Sequence, residues 1–476
     1  MEKSTGTGNP QWTKKQKTRL ARQLSSDNPG LDVVHRDAAG IDVGSRQHYV
    51  AVGPDRDTQS VRSFGCFTSE LVQIAAFLSR CGVRTVVLQS TGVYWIPLYD
   101  VLEQAGFEVW LVNARETRNL PGRKSDVQES QWLLKLHTYG LLRRSFRPEP
   151  EIRAVRTCWR ERAEYVQQAG ACIQRMQKAL TEMNVQLATV LSDLSGTTGM
   201  SILRAIAAGE RDGRRLATLR DHRVRADEET IARSLEGTWQ PEQIAILKRQ
   251  LADWDHMQQQ ITACDRDLEG LLKTLPAAAA PTSSAAADPP KPKRGKHSGR
   301  FSRNEPRFAL QPELNRITGV DLTRIDGIGA MTIQTVIAEA GLDMTRWPTE
   351  DHFVSWIGLS PRNDQSGERV KKRRTCRVVS PLATALRLAA NTLRLSDTYL
   401  GAQFRRLRSR LGPPKAITAM AAKLARLIYR MLRYGQEYID RGAAFYEQKY
   451  KQQQLLWLQK KAAQHGYLLT PTAAGN

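Results

Sequence analysis

The chain has 476 residues, 41% of them hydrophobic, with 71 Lys and Arg against 48 Asp and Glu and a formal net charge of +23. That length predicts two or three domains. The apolar fraction excludes a chain disordered throughout, and no apolar run reaches the roughly 18 residues a membrane span needs. The charge predicts a polyanionic partner, nucleic acid before acidic lipid, with affinity that falls as salt rises. Residues 1–30 lack the apolar core of a signal peptide, and the six cysteines form no CxxC pair, so a cytoplasmic protein without a disulfide framework is expected.

In chain order, residues 1–37 read as a basic, polar leader containing Lys14, Lys15, Lys17, Arg19 and Arg22. Residues 38–148 change character. AAGIDVGSRQHYVAVGPD and SVRSFGCF supply three short extended runs. SELVQIAAFLSRCG has helical spacing, with Ser69 as the expected N-cap and Gly82 as the stop. RTVVLQ reads as a strand, GVYWIPLYDVLEQAG as a helix ending at Gly106, FEVWLV as another strand and SDVQESQWLLKLHTYG as another helix. Strands alternating with helices in this way predict an α/β layer on a mixed sheet.

Residues 149–274 read as a helical arm. The stretch 149–191 is continuously helix-compatible and a second block covers about 226–275, which suggests a coiled coil or a helical hairpin. Residues 275–309, rich in Ala, Pro and Ser and then basic, read as a flexible linker. A second compact unit, mainly α-helical, covers 310–440, and 441–476 reads as a helical, polar tail. In the second unit, Gly327 and Gly329 lie between two helical stretches in IDGIGAMTIQ. Such a helix-hairpin-helix turn can leave backbone N–H groups facing a phosphate; a plain helix–helix corner is the other reading.

Two constellations carry chemistry. Asp42 lies in the first strand, Gln89 ends the fourth, and Asp126 and Glu129 share a helix face at i, i+3. A helix packed across the central strands would bring Asp42, Asp126 and Glu129 to one point, where oxygen ligands of this kind suit Mg²⁺ or Mn²⁺ and phosphoryl transfer. Arg115, Arg118, Arg123 and Lys124 precede this helix and can hold a phosphate backbone. The second constellation is SWIGLSPRNDQSGERVKKRRTCR. From Pro361 it reads as a polar loop carrying Ser366, followed by Arg369, Lys371, Lys372, Arg373, Arg374 and Arg377. Cations of this density can stabilise a phosphorane, but Ser366 has no neighbouring base in sequence, so phosphate binding alone accounts for it equally well.

These segments, AGIDVGSRQHYVAV, STGVYW, LVNARETRNLPGRKSDVQESQWLLKL, IDGIGAMTIQTVIAEAG and FVSWIGLSPRNDQSGE, resemble insertion-sequence transposases of the DEDD type, related to the Piv site-specific DNA invertase. The resemblance covers 38–150 and 315–400, about half the chain. It implies a ribonuclease-H-like (RuvC-like) N-terminal domain, a coiled-coil arm and a C-terminal transposase domain with a helix-hairpin-helix-like segment. It further implies Mg²⁺ in the first domain, a serine that links covalently to DNA in the second, and a composite site across protomers of a dimer or tetramer. DNA at element ends and target is the implied substrate, with a structured guide RNA in part of the family. Asp42 and Asp126 match the first and third family acids, and Ser366 matches the family serine.

The match departs from the family pattern at two positions. Gln89 stands where Glu is expected and Glu129 where Asp is expected, which leaves three acids facing the metal with a weaker carbonyl ligand at 89. A metal-only, structure-selective nuclease is the alternative enzyme reading. A non-catalytic nucleic-acid-binding protein is the alternative of another class, and Gln89 is the feature that favours it.

Overall fold

A computed structural model describes residues 30–89, 92–114, 125–278, 304–366, 369–375, 380–435 and 438–470. The chain divides into two units between Arg147 and Pro148. The expected leader over 1–29, the core of the linker over 279–303 and the loop 115–124 lie outside the described residues.

The first unit contains β1 (Ala38–Val43), β2 (Gln47–Ala51), β3 (Val61–Gly65), α1 (Thr68–Arg80), β4 (Thr85–Gln89), α2 (Trp95–Gln104), β5 (Glu108–Val112) and α3 (Asp126–Thr138). The sheet order is β3-β2-β1-β4-β5. β1, β2 and β3 pair antiparallel, while β4 pairs parallel to β1 and to β5. This is the expected ribonuclease-H-like (RuvC-like) layer. Alternation along the strands assigns its two faces. Ala39, Ile41 and Val43 of β1 and Val86 and Leu88 of β4 enter one core with Ile74 of α1. Val87 turns the other way and packs with Leu133 and Leu136 of α3.

Glycine at position 40 lets α3 approach β1. A Cβ there would lie 2.3 Å from the backbone nitrogen of Leu134 and 2.6 Å from the carbonyl oxygen of Ser130. The far end of α3 is fastened separately. The Thr138 carbonyl accepts the N–H groups of Val34 and His35, and His137 Nε2 shares a hydrogen bond with Thr85 Oγ1 at 2.9 Å. At α1 the start differs from expectation. The helix begins after Phe67, so Ser69 sits inside the first turn. The Glu70 carboxylate instead accepts the N–H groups of Gly65 and Phe67, each at 3.2 Å, because its longer stem reaches back over that turn.

The second unit begins with α4 (Pro150–Glu182), followed by α5 (Leu187–Val190), α6 (Thr197–Ala208), α7 (Gly213–Ala217), α8 (Glu228–Ser234) and α9 (Pro241–Thr274). α4 and α9 pack along one another as the helical hairpin expected. The continuous helix expected over 149–191 instead stops at Glu182. Asn184 takes φ of 58°, and Met183, Val185 and Leu187 turn into a core that joins the ends of α4 and α9 to Leu203, Ile206 and Leu216 of the short helices. Burial of those side chains outweighs the helix propensity of the segment.

The α4–α9 pair encloses an ion pair, Arg162 Nε to Asp265 Oδ1 at 2.5 Å, with both side chains almost wholly buried. Asp265 Oδ2 also accepts the N–H of Arg307 at 3.2 Å. The remaining elements are α10 (Leu310–Thr318), α11 (Ala330–Ala340), α12 (Glu350–Ile357), β6 (Pro361–Ser366), β7 (Arg369–Thr375), α13 (Pro381–Thr392), α14 (Tyr399–Leu411), α15 (Pro413–Tyr434) and α16 (Gly442–Gln464), with single 3₁₀ turns at 322–324, 344–346 and 393–395. α4 is tied to α11 by Trp159 Nε1 donating to Thr335 Oγ1 at 3.1 Å and by the Arg160–Glu339 pair at 2.7 Å. Among the described residues, no helix is long and apolar enough to cross a membrane.

Candidate nucleic-acid processing site

The register places Asp42 and Gln89 at one end of the first unit's sheet. β1 and β4 are paired in parallel up to Ile41 and Leu88, so Asp42 and Gln89 follow as the next residues of adjacent strands. Both are half-buried. By alternation Asp42 shares the α3-facing side with Gly40, and Gln89 shares it with Val87. α3 runs antiparallel to these strands. Its last turn sits over Thr85, where β4 begins, and its middle over Gly40. Its first turn therefore lies toward the carboxyl ends of β1 and β4, and that turn carries Asp126 and Glu129. Ser125 caps it, accepting the N–H of Gln128 at 3.3 Å.

The fold thus brings Asp42, Gln89, Asp126 and Glu129 to one face and one end. Asp126 is exposed and Glu129 half-buried. Among the described residues, no three His, Cys, Asp or Glu side chains converge as a ligand set. The donors nevertheless fit Mg²⁺ or Mn²⁺ in type: three carboxylates and one amide carbonyl, all hard oxygens. Arg115, Arg118, Arg123 and Lys124 fall outside the described residues.

A partly buried aromatic cluster backs α3. The His35 and His137 rings stack with centroids 4.5 Å apart, and Trp110 meets both edge-on. Burial, helped by His35, lowers the His137 pKa to about 4. His137 therefore stays neutral and accepts or donates toward Thr85 without carrying charge.

In the second unit, the segment expected as a polar loop from Pro361 forms an antiparallel hairpin of β6 and β7. Ser366 ends β6 and pairs with Arg369. Arg369, Lys371, Lys372, Arg373 and Arg374 all lie on β7, while Arg377 is outside the described residues. Pro361, which has no N–H to give, opens the first strand, where ladder pairing tolerates it. The hairpin was hard to foresee because the dense run of charges on β7 hides the alternation that marks a strand.

Gly327 and Gly329 do form the turn that leads into α11, but they play different parts. Gly327 has φ of 82°, and a Cβ on it would lie 2.8 Å from the Ala389 carbonyl of α13, so its visible role is close packing. Gly329 precedes the first turn of α11, and a Cβ there would meet nothing within 4 Å. Several cations on α14 and α15 are neutralised by ion pairs. Arg406 pairs with Glu447 at 2.5 Å, Arg426 with Asp351 at 2.8 Å and Arg430 with Glu350, leaving Arg410, Lys415 and Arg433 exposed.

An uncharged, apolar stretch runs through the end of β4 and into α2. From Thr85 to Tyr99 the sequence holds no charged residue, and the structure exposes Val93, Tyr94 and Ile96 there, just beyond the end of β4.

An α/β layer with carboxylates and an amide at its strand ends, followed by a helical unit with a basic hairpin, is an arrangement compatible with nucleic-acid processing on a ribonuclease-H-like sheet. Residues 39–185 match the DEDD transposase model of IS110 elements, and residues 321–404 match the transposase model of the IS116/IS110/IS902 family. The two matches, in this order along the chain, are similar to the two-part domain architecture of IS110/IS902-family DEDD-type transposases. The two matches support transposase activity, phosphoryl transfer on DNA, in general terms, and neither is specific to Piv. No curated protein matches the chain.

Proposed function

We propose that this transposase cleaves and rejoins DNA at its element's ends and target through Ser366, assisted by a divalent cation at Asp42, Asp126, Glu129 and Gln89. The observation that carries the reading is the placement of those four residues at one end of one sheet face, together with a serine at the end of β6 opposite a strand of cations. Ser366 Oγ attacks a DNA phosphorus, the Oγ–P bond forms as the bond to the departing DNA oxygen breaks, and the proton the serine gives up ends on that departing oxygen. The reverse attack by a DNA hydroxyl restores a phosphodiester and frees the serine. The β7 cations offset the charge of the five-coordinate phosphorus, which is where electrostatic stabilisation contributes most. When bound, Mg²⁺ or Mn²⁺ supplies Lewis acidity at the phosphate oxygens. Asp42 and Glu129, half-buried, are the carboxylates placed to hold it, with the Gln89 carbonyl as a weaker neutral ligand. Assembly as a dimer or tetramer and use of a structured guide RNA belong to the same reading.

The test is detection of a covalent protein–DNA adduct on a denaturing gel. The protein is incubated with Mg²⁺, junction DNA of its own element, target DNA and RNA copurified from the host. An adduct should form with the wild type and vanish in both Ser366→Ala and Asp42→Ala. Strand cleavage that survives in Ser366→Ala with no adduct in any sample would rule out the serine step.

A further inference from the structure

We infer that the turn just beyond β4 is a stacking platform for an unpaired nucleobase, with Tyr94 as its aromatic face and Val93 and Ile96 as its apolar flanks. The inference rests on the functional reading above, since it places a base next to the strand ends where the phosphate would react.

The turn is built to hold these side chains outward. Trp95 is the residue that turns in. It packs against the core under α1 and α2, and its Nε1 donates to the Gly92 carbonyl at 3.2 Å. Arg147 braces it from beneath, its guanidinium 5.4 Å from the Trp95 ring and 3.9 Å from the Tyr99 ring while bonded to Asp100 at 2.7 Å. With Trp95 fixed, its neighbours on either side must face away from the core. Val93 is 66% exposed and Tyr94 49% exposed. Gly92 has φ of 57°, and a Cβ on it would sit 3.4 Å from the Tyr94 ring, so the turn passes close to that ring while the side chain as a whole stays exposed.

Large side chains left this open at a turn cost hydration free energy unless something covers them. The covering group can be deduced from charge and place. The chain is +23 overall, yet the stretch from Thr85 to Tyr99 has no charge at all. Such an island does not attract phosphate; it suits the flat, uncharged part of a nucleotide. The turn also comes just after β4 in the chain, at the same carboxyl end of the sheet as Gln89 and Asp42, which is where the proposed function puts the phosphate. Ring stacking of this sort is tolerant of base identity and is worth about tenfold in affinity per base.

The experiment compares binding of the full chain to a short duplex and to the same duplex with a central run of unpaired thymines. The wild type should prefer the unpaired DNA about tenfold. Tyr94→Phe should keep that preference, because stacking does not need the hydroxyl. Tyr94→Ala should lose it while holding the duplex as tightly as before. Replacing the unpaired thymines by abasic sites should remove the preference of the wild type and change nothing further in Tyr94→Ala. A simple loss of folding would weaken both DNAs and would not give this non-additive pattern. A preference that persists in Tyr94→Ala, or that is absent in the wild type, overturns the stacking platform and leaves the transposase reading standing. Failure of the wild type to bind either DNA overturns both.

Discussion

Replacing Gly40 by alanine tests whether the contact between α3 and β1 sets the geometry of the acidic end. The added Cβ would lie 2.3 Å from Leu134 N, 2.6 Å from Ser130 O and 2.8 Å from Leu134 Cα, all backbone atoms that cannot rotate aside. Reaching an ordinary contact of 3.4 Å requires α3 to retreat by about 1 Å. The helix cannot retreat evenly. Its C-terminal end is held through Thr138 and through the His137–Thr85 bond. It must therefore pivot there and open most at its first turn, where Asp126 and Glu129 sit. Overpacking of this kind costs about 1–3 kcal/mol, and a displacement of about 1 Å at reacting groups costs on the order of 100-fold in rate. Urea denaturation of Gly40→Ala should show a lowered midpoint, and adduct formation on junction DNA should fall by about two orders of magnitude. Gly170→Ala is the matched control. It lies inside α4 with nothing within 4 Å of the new Cβ and should stabilise by about 0.5–1 kcal/mol. If Gly40→Ala keeps both the midpoint and the activity of the wild type, the argument from close approach is wrong.

The buried His137 makes stability depend on pH. Its pKa falls from 6.5 to about 4 on folding, so between those values the unfolded chain binds a proton that the folded chain does not. Stability should be complete above about pH 6.5 and decline toward pH 4 by about 3 kcal/mol. Denaturant titrations across that window measure it, and the decline should shrink in the His137→Leu/Thr85→Val double variant. The Arg162–Asp265 pair should behave as a buried ion pair. Arg162→Ala should cost about 3–5 kcal/mol, whereas Arg162→Met with Asp265→Leu should recover most of that loss. Equal loss in the single and double variants, measured by equilibrium unfolding, would contradict this. At the turn before α11, Gly327→Ala should destabilise by about 1–3 kcal/mol because of its positive φ and the Ala389 carbonyl. Gly329→Ala should leave the melting temperature unchanged, and matching melts for the two would refute the assigned difference.

Periodicity made much of the first unit legible. The three extended runs, the strand at RTVVLQ and the helix from Asp126 occur where apolar spacing and turn residues predict them, since each element buries one regular face. The second unit was less legible for identifiable reasons. The helix expected to continue to 191 ends at Glu182, where Met183, Val185 and Leu187 turn to pack with the short helices and α9. Propensity along the chain carries no record of partners more than 20 residues away. The β6–β7 hairpin was hidden by five cations on β7, whose charge masks the strand pattern. Tyr94 was overlooked because an apolar, aromatic stretch after a strand normally predicts burial; only the inward turn of its neighbour Trp95 pushes it out.

The sequence by itself determined which chemistry is present. It supplied the carboxylates at 42, 126 and 129, the amide at 89, the serine at 366 and the cations around it, because residue type and charge are properties of single positions. Tertiary structure decided what those residues share. Asp42 and Gln89 are 47 positions apart and become neighbours only through the parallel β1–β4 register. Asp126 and Glu129 reach the same end only because Gly40 admits α3 against the sheet and the His137–Thr85 bond sets which way the helix runs. Register and helix direction come from hydrogen bonding and close packing between segments distant in sequence, and no local pattern encodes either.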